Sequence, residues 1–289
     1  MVAIPDYPEQ RLSDLVWQAR EREQVKKSRG IYLSRLGAST LGEACQRAAF
    51  FDWRAYARGS TPGRVLNLFE TGHIVERRVV EDLRLAGMRV WDLDPATGKQ
   101  FTYADPETGH SVCKLDGVIK GVPGFEDEPH VLEIKSHNDK NFASLVKRRV
   151  REAFPTHYVQ CQEGMWLTGL RAALYVGRNK NDESYHFERV PYDEAAVAEG
   201  VKGRIRSLYG ATLIPAGVSP DATGYLCKWC GFKDVCTGGQ PLKNCRTCRS
   251  CEPGPDGSWL CNLWEKTLDW DEQRAACDRW DPLKAEPVK

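Results

Sequence analysis

Residues 131–135, Val-Leu-Glu-Ile-Lys, carry the pattern that most constrains the fold, because apolar and charged side chains alternate along them. An alternation with a period of two predicts a β-strand that has Leu132 and Ile134 on one face and Glu133 and Lys135 on the other. When such a strand buries its apolar face, it presents a carboxylate and an ammonium group side by side. We therefore expect the chain to be organised around this strand.

A second strand is predicted just upstream, over residues 111–119, with Asp116 in its middle. The Gly-Val-Pro-Gly sequence at residues 121–124 is typical of a turn. If the two strands pair as a hairpin, Asp116 faces Glu133 across the ladder. Two carboxylates that close repel each other unless a cation lies between them, and oxygen ligands suit Mg²⁺ or Mn²⁺.

Two helices flank this hairpin in the sequence. The helix predicted over residues 64–86 contains Gly72 and, one turn later, Glu76. The helix predicted over residues 157–169 contains Tyr158 and Gln160. Glu76 has two interpretations, as a site residue or as one of several solvated acids on the same helix, which include Glu70, Glu81 and Asp82.

The order of four motifs along the chain resembles that of the PD-(D/E)xK nuclease superfamily. These motifs are the Gly72–Glu76 helix, Asp116, the Glu133-Ile134-Lys135 triplet and the Tyr158 helix. The resemblance is to its RecB-like and phage λ-exonuclease-like members. It implies an α/β (α+β) fold with a restriction-endonuclease-like core, in which helices flank a mixed central sheet.

The resemblance also implies a role for each residue. The metal, Mg²⁺ or Mn²⁺, would be held by Asp116, Glu133, the Ile134 carbonyl and Glu76. Lys135 would orient or deprotonate the attacking water, and Tyr158 and Gln160 would complete the catalytic set near the scissile phosphate.

Eleven cysteines in a chain without a secretion signal favour metal ligation over disulfides. Cys227, Cys230 and Cys236 form a C-x2-C-x5-C pattern, and Cys45 is the natural fourth ligand. This set resembles the iron–sulfur subset of RecB-like nucleases, which includes the AddB nuclease domain and CRISPR-associated exonucleases. The resemblance implies a [4Fe-4S] cluster, and zinc is the alternative.

A second cysteine set follows and predicts a zinc-binding appendage. Five thiols compete for four places. The preferred ligands are Cys245, Cys248, Cys261 and Cys277, with Cys251 as the spare, and the alternative replaces Cys245 by Cys251. Cys113 and Cys161 are interpreted as buried thiols without a ligand role.

Composition sets the outer limits of this hypothesis. The chain has 289 residues, 41% of them hydrophobic, and a net charge of only +1, so that a nucleic-acid surface must be a local patch. We expect three parts, namely an N-terminal helical segment over 1–38, the nuclease core over 39–240 and a separable cysteine-rich appendage over 241–289. No signal peptide or apolar run of about 20 residues is found, which predicts a cytoplasmic protein, in the bacterial host if the chain is phage-encoded.

These patterns predict a Mg²⁺- or Mn²⁺-dependent deoxyribonuclease, more an exonuclease than an endonuclease, for recombination, repair or phage DNA processing. Its expected partners are DNA and a recombination or repair protein. The basic run at residues 147–151 is interpreted either as a solvated helix face or as a phosphate contact. Two other hypotheses are a non-catalytic DNA-binding module with iron–sulfur and zinc centres, and an iron–sulfur redox protein.

Overall fold

The computed structural model describes residues 9–27, 33–57, 61–219 and 221–283. The predicted N-terminal segment 1–38 falls partly outside them, at residues 1–8 and 28–32. The helices of the described residues are α1 (Glu9–Lys27), α2 (Ala38–Leu41), α3 (Gln46–Trp53), α4 (Gly63–Leu85), α5 (Asp139–Ala153), α6 (Pro155–Thr168), a π-helix (Ala196–Gly203) that continues into α7 (Arg204–Tyr209), α8 (Lys233–Cys236) and α9 (Trp270–Ala275). The strands are β1 (Leu36–Gly37), β2 (Arg89–Trp91), β3 (Thr102–Ala104), β4 (Ser111–Lys114), β5 (Gly117–Lys120), β6 (His130–His137), β7 (Ala172–Asn179), β8 (Tyr185–Pro191), β9 (Cys251–Pro253), β10 (Trp259–Cys261) and β11 (Lys266–Thr267).

A five-stranded mixed sheet forms the centre of the fold, with the strand order β2-β5-β6-β7-β8. The β6–β7 pair is parallel and the other pairs are antiparallel. Parallel neighbours need a crossover connection, which α5 and α6 supply here. The predicted mixed sheet with flanking helices is thus confirmed.

The two faces of this sheet are covered by different helices. On one face, Leu132 and Ile134 pack with the valines of α4, such as Val79. On the other face, Val131 packs with residues of α5 and α6, such as Met165. The charged residues of β6 share this second face, so α5 and α6 enclose them.

The segment 111–119 differs from its prediction as a single strand. It forms two strands, β4 and β5, which belong to different sheets, and Asp116 lies at the break between them. The predicted hairpin of β5 with β6 is present, since Gly117 pairs with Leu132. The break occurs because β4 pairs with β3 in one sheet, whereas β5 pairs with β6 in the other. The Leu115 N–H donates to Phe101 while the Asp116 side chain accepts from Ile134.

The C-terminal cysteine-rich segment packs against the preceding part of the chain through one shared hydrophobic cluster. Its strands β9, β10 and β11 form a small antiparallel sheet. Trp259 of β10 is buried 5.0 Å from the ring of Trp53 in α3, in a cluster that also contains Phe51 and Tyr56. The predicted boundary between residues 240 and 241 therefore separates two parts that share a hydrophobic cluster.

In the part of the chain that the structure describes, no helix is long and apolar enough to cross a membrane.

Trp259→Ala should lower the free energy of unfolding by about 3–5 kcal/mol, because it leaves a large cavity between α3 and β10. Urea unfolding would measure the loss. Trp264 belongs to the same segment but is 53% exposed, so Trp264→Ala should change stability by only about 0.5 kcal/mol. Equal effects of the two substitutions would contradict the shared core.

Candidate active site and cysteine clusters

The side chains of Asp116, Glu133 and Lys135 lie close together near the start of β5, where β5 pairs with β6. The Ile134 N–H donates to Asp116 Oδ2 at 2.8 Å, which fixes the carboxylate beside β6. Lys135 Nζ forms an ion pair with Glu133 Oε1, lies 3.8 Å from Asp116 Oδ2 and donates to the Ile134 carbonyl at 3.3 Å. The ammonium group thus contacts every oxygen-bearing group that the sequence predicted as a metal ligand on these two strands.

Burial and charge together set the protonation of this group. Glu133 is only 5% exposed. Burial raises its pKa, and the charge of Asp116 raises it further, while Lys135 acts in the opposite direction. Burial by itself would lower the pKa of Lys135, but the neighbouring carboxylates outweigh it and raise that pKa. One ammonium group therefore compensates two carboxylates.

Glu76 lies on α4, near this cluster but at its edge. It is half-buried, and its negative charge is the smallest of the effects that shift the pKa of Glu133. Its Oε2 lies 3.2 Å from Nδ1 of His73, one turn earlier on the exposed side of the helix. The structure thus brings Glu76 within electrostatic reach of Glu133.

Tyr158 and Gln162 of α6 form their hydrogen bonds with β8 and Asp193 and not with the two carboxylates. The Tyr158 hydroxyl donates to Asp193 Oδ2 at 3.1 Å. Gln160 is half-buried on the same helix. The buried amide of Gln162 donates to the Pro191 carbonyl at 3.0 Å and accepts from the Asp193 N–H at 2.9 Å. Tyr158 and Gln162 therefore brace the end of β8.

Sequence analysis missed a hydrogen-bonded triad beside Lys135, in which Tyr175 and His137 are buried and His157 is half-buried. The Tyr175 hydroxyl on β7 lies 3.0 Å from Nε2 of His137 and 2.9 Å from Nδ1 of His157. Burial, and after it the charge of Lys135, lower the pKa of His137 to about 4 and that of His157 to about 3. Both imidazoles are thus neutral at neutral pH. His137 follows Glu133 and Lys135 on the alternating face of β6, and that spacing was the only signal available.

A glycine lets α5 close over this face. Gly177 pairs with Lys135 across the β6–β7 ladder. A Cβ atom at Gly177 would collide with the Leu145 side chain of α5 and would also lie 3.5 Å from Cδ2 of His137. The absence of a side chain therefore allows an apolar residue to cover the triad.

The basic run of α5 is partly engaged in ion pairs. Arg149 Nε lies 3.1 Å from Glu188, and Arg151 Nη1 lies 3.2 Å from Asp193. Lys147 and Arg148 are exposed. The backbone of α5 is not helical at Arg149, where φ is 62°. The basic residues 147–151 therefore do not form one continuous helix face.

The four cysteines of the first set line one small cavity of about 20 Å³. Cys45 is the N-cap residue of α3, and Cys236 ends α8. Burial raises the pKa of Cys230, and the three other sulfurs are close enough to raise it further. Arg47 Nη1 donates to Cys236 Sγ at 3.5 Å. Sequence-distant Cys45 is thus brought to the C-terminal triplet, as the resemblance implied.

All five cysteines of the second set line another cavity, of about 470 Å³. Burial, and after it the neighbouring Cys277, Cys248 and Cys261, raise the pKa of Cys245 to about 11. Cys251 lies opposite Cys261 in the β9–β10 ladder. The fold therefore gathers the preferred four thiols and the spare around one space.

Among residues 9–27, 33–57, 61–219 and 221–283, no three His, Cys, Asp or Glu side chains stand close enough together to hold a metal ion. The fold nevertheless brings each cysteine set to the lining of one cavity. At the carboxylates, the Lys135 ammonium occupies the position between the oxygens.

The class of domain is indicated by a sequence comparison. Residues 86–171 match the family described as the YqaJ-like viral recombinase domain. The matched segment contains Asp116, Glu133, Lys135, Tyr158 and Gln160. The resemblance to λ-exonuclease-like members of the PD-(D/E)xK superfamily is thereby confirmed. No curated protein matches the chain.

Three solved structures are remotely similar to this chain. An alkaline exonuclease, LHK-Exo, from Laribacter hongkongensis has 17% identity and a TM-score of 0.43, covering 67% of this chain and 91% of its own. LHK-Exo in complex with dAMP has 17% identity and a TM-score of 0.42, covering 61% and 88%. A protein described as SSO0001 has 15% identity and a TM-score of 0.42, covering 78% and 96%.

Tyr175→Phe should lower the free energy of unfolding by about 1–3 kcal/mol, because it leaves the ring nitrogens of His137 and His157 buried without their shared partner. Chemical denaturation would measure this loss. Tyr225 is 82% exposed, so Tyr225→Phe is the matched control and should leave stability unchanged. A Tyr175→Phe protein as stable as the parent would show that the two hydrogen bonds contribute nothing.

Proposed function

We propose that this protein is a divalent-metal-dependent DNA exonuclease that acts in DNA recombination or in the processing of phage DNA. The observation that carries the proposal is the cluster of Asp116, Glu133 and Lys135 within the segment that matches a viral recombinase domain. LHK-Exo, one of the similar structures, is an alkaline exonuclease and has been seen with dAMP.

The residues of the cluster suit Mg²⁺ or Mn²⁺. Asp116, Glu133 and the Ile134 carbonyl offer the oxygen ligands that such ions require, and Glu76 would add a fourth oxygen donor. The fit is supported by Lys135, whose ammonium group already contacts the first three as a positive charge. When bound, the metal polarises the scissile phosphate and lowers the pKa of its water.

The protein's own groups supply the remaining steps. Lys135 donates hydrogen bonds, and in the nuclease it orients the attacking water and offsets negative charge on the phosphate as the P–O bond breaks. The Ile134 N–H holds the Asp116 carboxylate in place. This carboxylate therefore stays fixed when Lys135 turns from its carboxylate partners to the water and the phosphate. Tyr158 and Gln160 are assigned to the site through the resemblance alone, since the Tyr158 hydroxyl donates to Asp193 at the end of β8.

DNA would approach along α5. Lys147 and Arg148 extend from its exposed side, whereas Arg149 and Arg151 already pair with acids. The first two therefore suit contacts to phosphates, which position the strand without reading its sequence. This local patch reconciles DNA binding with a chain of net charge +1. A recombination or repair protein is the further partner that we propose, and the bacterial cytoplasm is the proposed location.

Asp116→Ala, Glu133→Gln and Lys135→Ala should each reduce Mg²⁺-dependent degradation of end-labelled DNA. A loss on the order of 10²–10³-fold is expected, as for other groups that stabilise transition-state charge. DNA binding, measured without metal, should persist. Glu81→Ala is the control, since Glu81 is an exposed acid of α4 and should leave cleavage unchanged.

Full cleavage by Lys135→Ala would remove the nuclease proposal from this site. If the parent protein binds DNA but never cleaves it with either metal, the non-catalytic DNA-binding module becomes the better description.

We further propose that Cys45, Cys227, Cys230 and Cys236 hold a [4Fe-4S] cluster. Thiolates are the usual ligands of such clusters, and all four cysteine residues line one cavity. The Arg47 guanidinium, 3.5 Å from the Cys236 sulfur, suits a centre with thiolate charge. Its role would be to join the start of α3 to the C-terminal triplet. Zinc in the same four thiolates is the alternative.

Anaerobically purified protein should be brown, and Cys45→Ser should bleach its visible absorption and lower its iron content. The loss should also destabilise the fold, because binding at a site that exists only in the folded chain contributes to folding free energy. Cys113→Ala changes a buried thiol outside the set and should keep the colour. Colourless parent protein that contains zinc alone would disprove the iron–sulfur proposal.

A further inference from the structure

Two arginines are buried together beside the second cysteine set. Arg54, at the end of α3, is 3% exposed, and Arg246, in the Cys245–Thr247 turn, is 1% exposed. The Trp259 ring lies next to both guanidinium groups, whose central carbons are 5.2 Å and 4.7 Å from its centre. Two positive charges thus share one interior region.

Their hydrogen-bond partners are carbonyl groups. Arg54 Nε donates to the Arg246 carbonyl at 2.6 Å, and its Nη2 donates to the carbonyls of Cys251 at 2.6 Å and Cys248 at 3.4 Å. Arg246 donates to Gln273 Oε1 at 2.8 Å and to the Trp53 carbonyl at 3.1 Å. Among the described residues, neither arginine forms an ion pair with an aspartate or glutamate.

Carbonyl groups solvate a cation but carry no net negative charge, so the two guanidinium charges still need an anion. Arg54 donates to the carbonyls of both Cys248 and Cys251, and Arg246 directly follows Cys245 in the chain. The two buried positive charges therefore adjoin the second cysteine set, whose thiols supply negative charge when they bind a metal as thiolates.

A four-thiolate zinc centre supplies the required charge. Zn²⁺ held by four cysteine thiolates carries two net negative charges, and a centre with three thiolates and a neutral histidine carries one. Within the part of the chain that the structure describes, five cysteines and no histidine line the adjacent cavity. The cavity lining also includes the exposed Arg279 and the Lys266–Glu272 ion pair. The two buried guanidinium groups behind it match the charge of four thiolates on Zn²⁺.

We propose that Arg54 and Arg246 are the buried counter-charges of a four-thiolate zinc centre in this cavity, and that they tie the centre to α3 of the nuclease core. The preferred thiolates are Cys245, Cys248, Cys261 and Cys277. The inference rests on the zinc-binding appendage expected from the sequence, and it stands independently of nuclease activity.

Arg54→Met and Arg246→Met test the charge balance, because methionine keeps much of the apolar stem and removes the charge. Each should weaken zinc retention at least tenfold in competition with a chelator, with zinc measured by elemental analysis. Arg249→Met is the matched control. Arg249 lies on the same segment, but its side chain is 60% exposed and pairs with Asp281 at the surface. It should retain zinc as the parent does.

Two measurements on the parent chain cover the case in which the arginine variants do not fold. Cobalt exchanged for zinc should give the charge-transfer and ligand-field bands of four sulfur ligands. Removal of the metal should abolish amide-exchange protection in α3 before it affects β6 and β7.

Wild-type zinc affinity in both methionine variants would overturn the proposal. So would a folded parent protein without zinc, or a cobalt spectrum with fewer than four sulfurs. None of these readouts involves DNA, so a failure here is distinct from a failure of the proposed nuclease.

Discussion

Compensation of buried charge at β6 is the interaction on which the rest of the structure depends. Glu133 and Lys135 lie on an eight-residue strand that is covered by helices on both faces. Isolated charges would be very unfavourable in such an interior. The ion pair and the neighbouring Asp116 satisfy one another. Two carboxylates face one ammonium group in this arrangement. The remaining negative charge favours the binding of a divalent cation.

Helix α3 connects the two cysteine clusters with the core. Cys45 precedes its first residue and Arg54 follows its last, so that a helix of eight residues, about 12 Å long, touches both. Phe50, Phe51 and Trp53 on the same helix are buried. A disturbance at either cluster therefore acts on a shared hydrophobic core. This explains how a segment with short strands and many turns is held in place.

Much of the fold and of the candidate site could be predicted from local sequence patterns. The alternation at residues 131–135 placed Glu133 and Lys135 on one face of β6, and the turn residues after β5 predicted the hairpin that sets Asp116 against it. Those properties depend on side-chain periodicity and turn chemistry, which operate over a few residues. Long-range pairing does not follow from such patterns, so residues 111–119 were predicted as one strand, although they form two.

The sequence by itself determined the charged face of β6, the order of the motifs around it and the spacing of the two cysteine sets. Only the tertiary structure decided that Tyr175 reaches His137 and His157, because the packing of α6 on β6 and β7 brings together residues that are far apart in the chain. Likewise, only packing placed Arg54 beside Arg246. Neither arginine has a local motif, and their roles arise from burial, which removes the water that would otherwise solvate their charges.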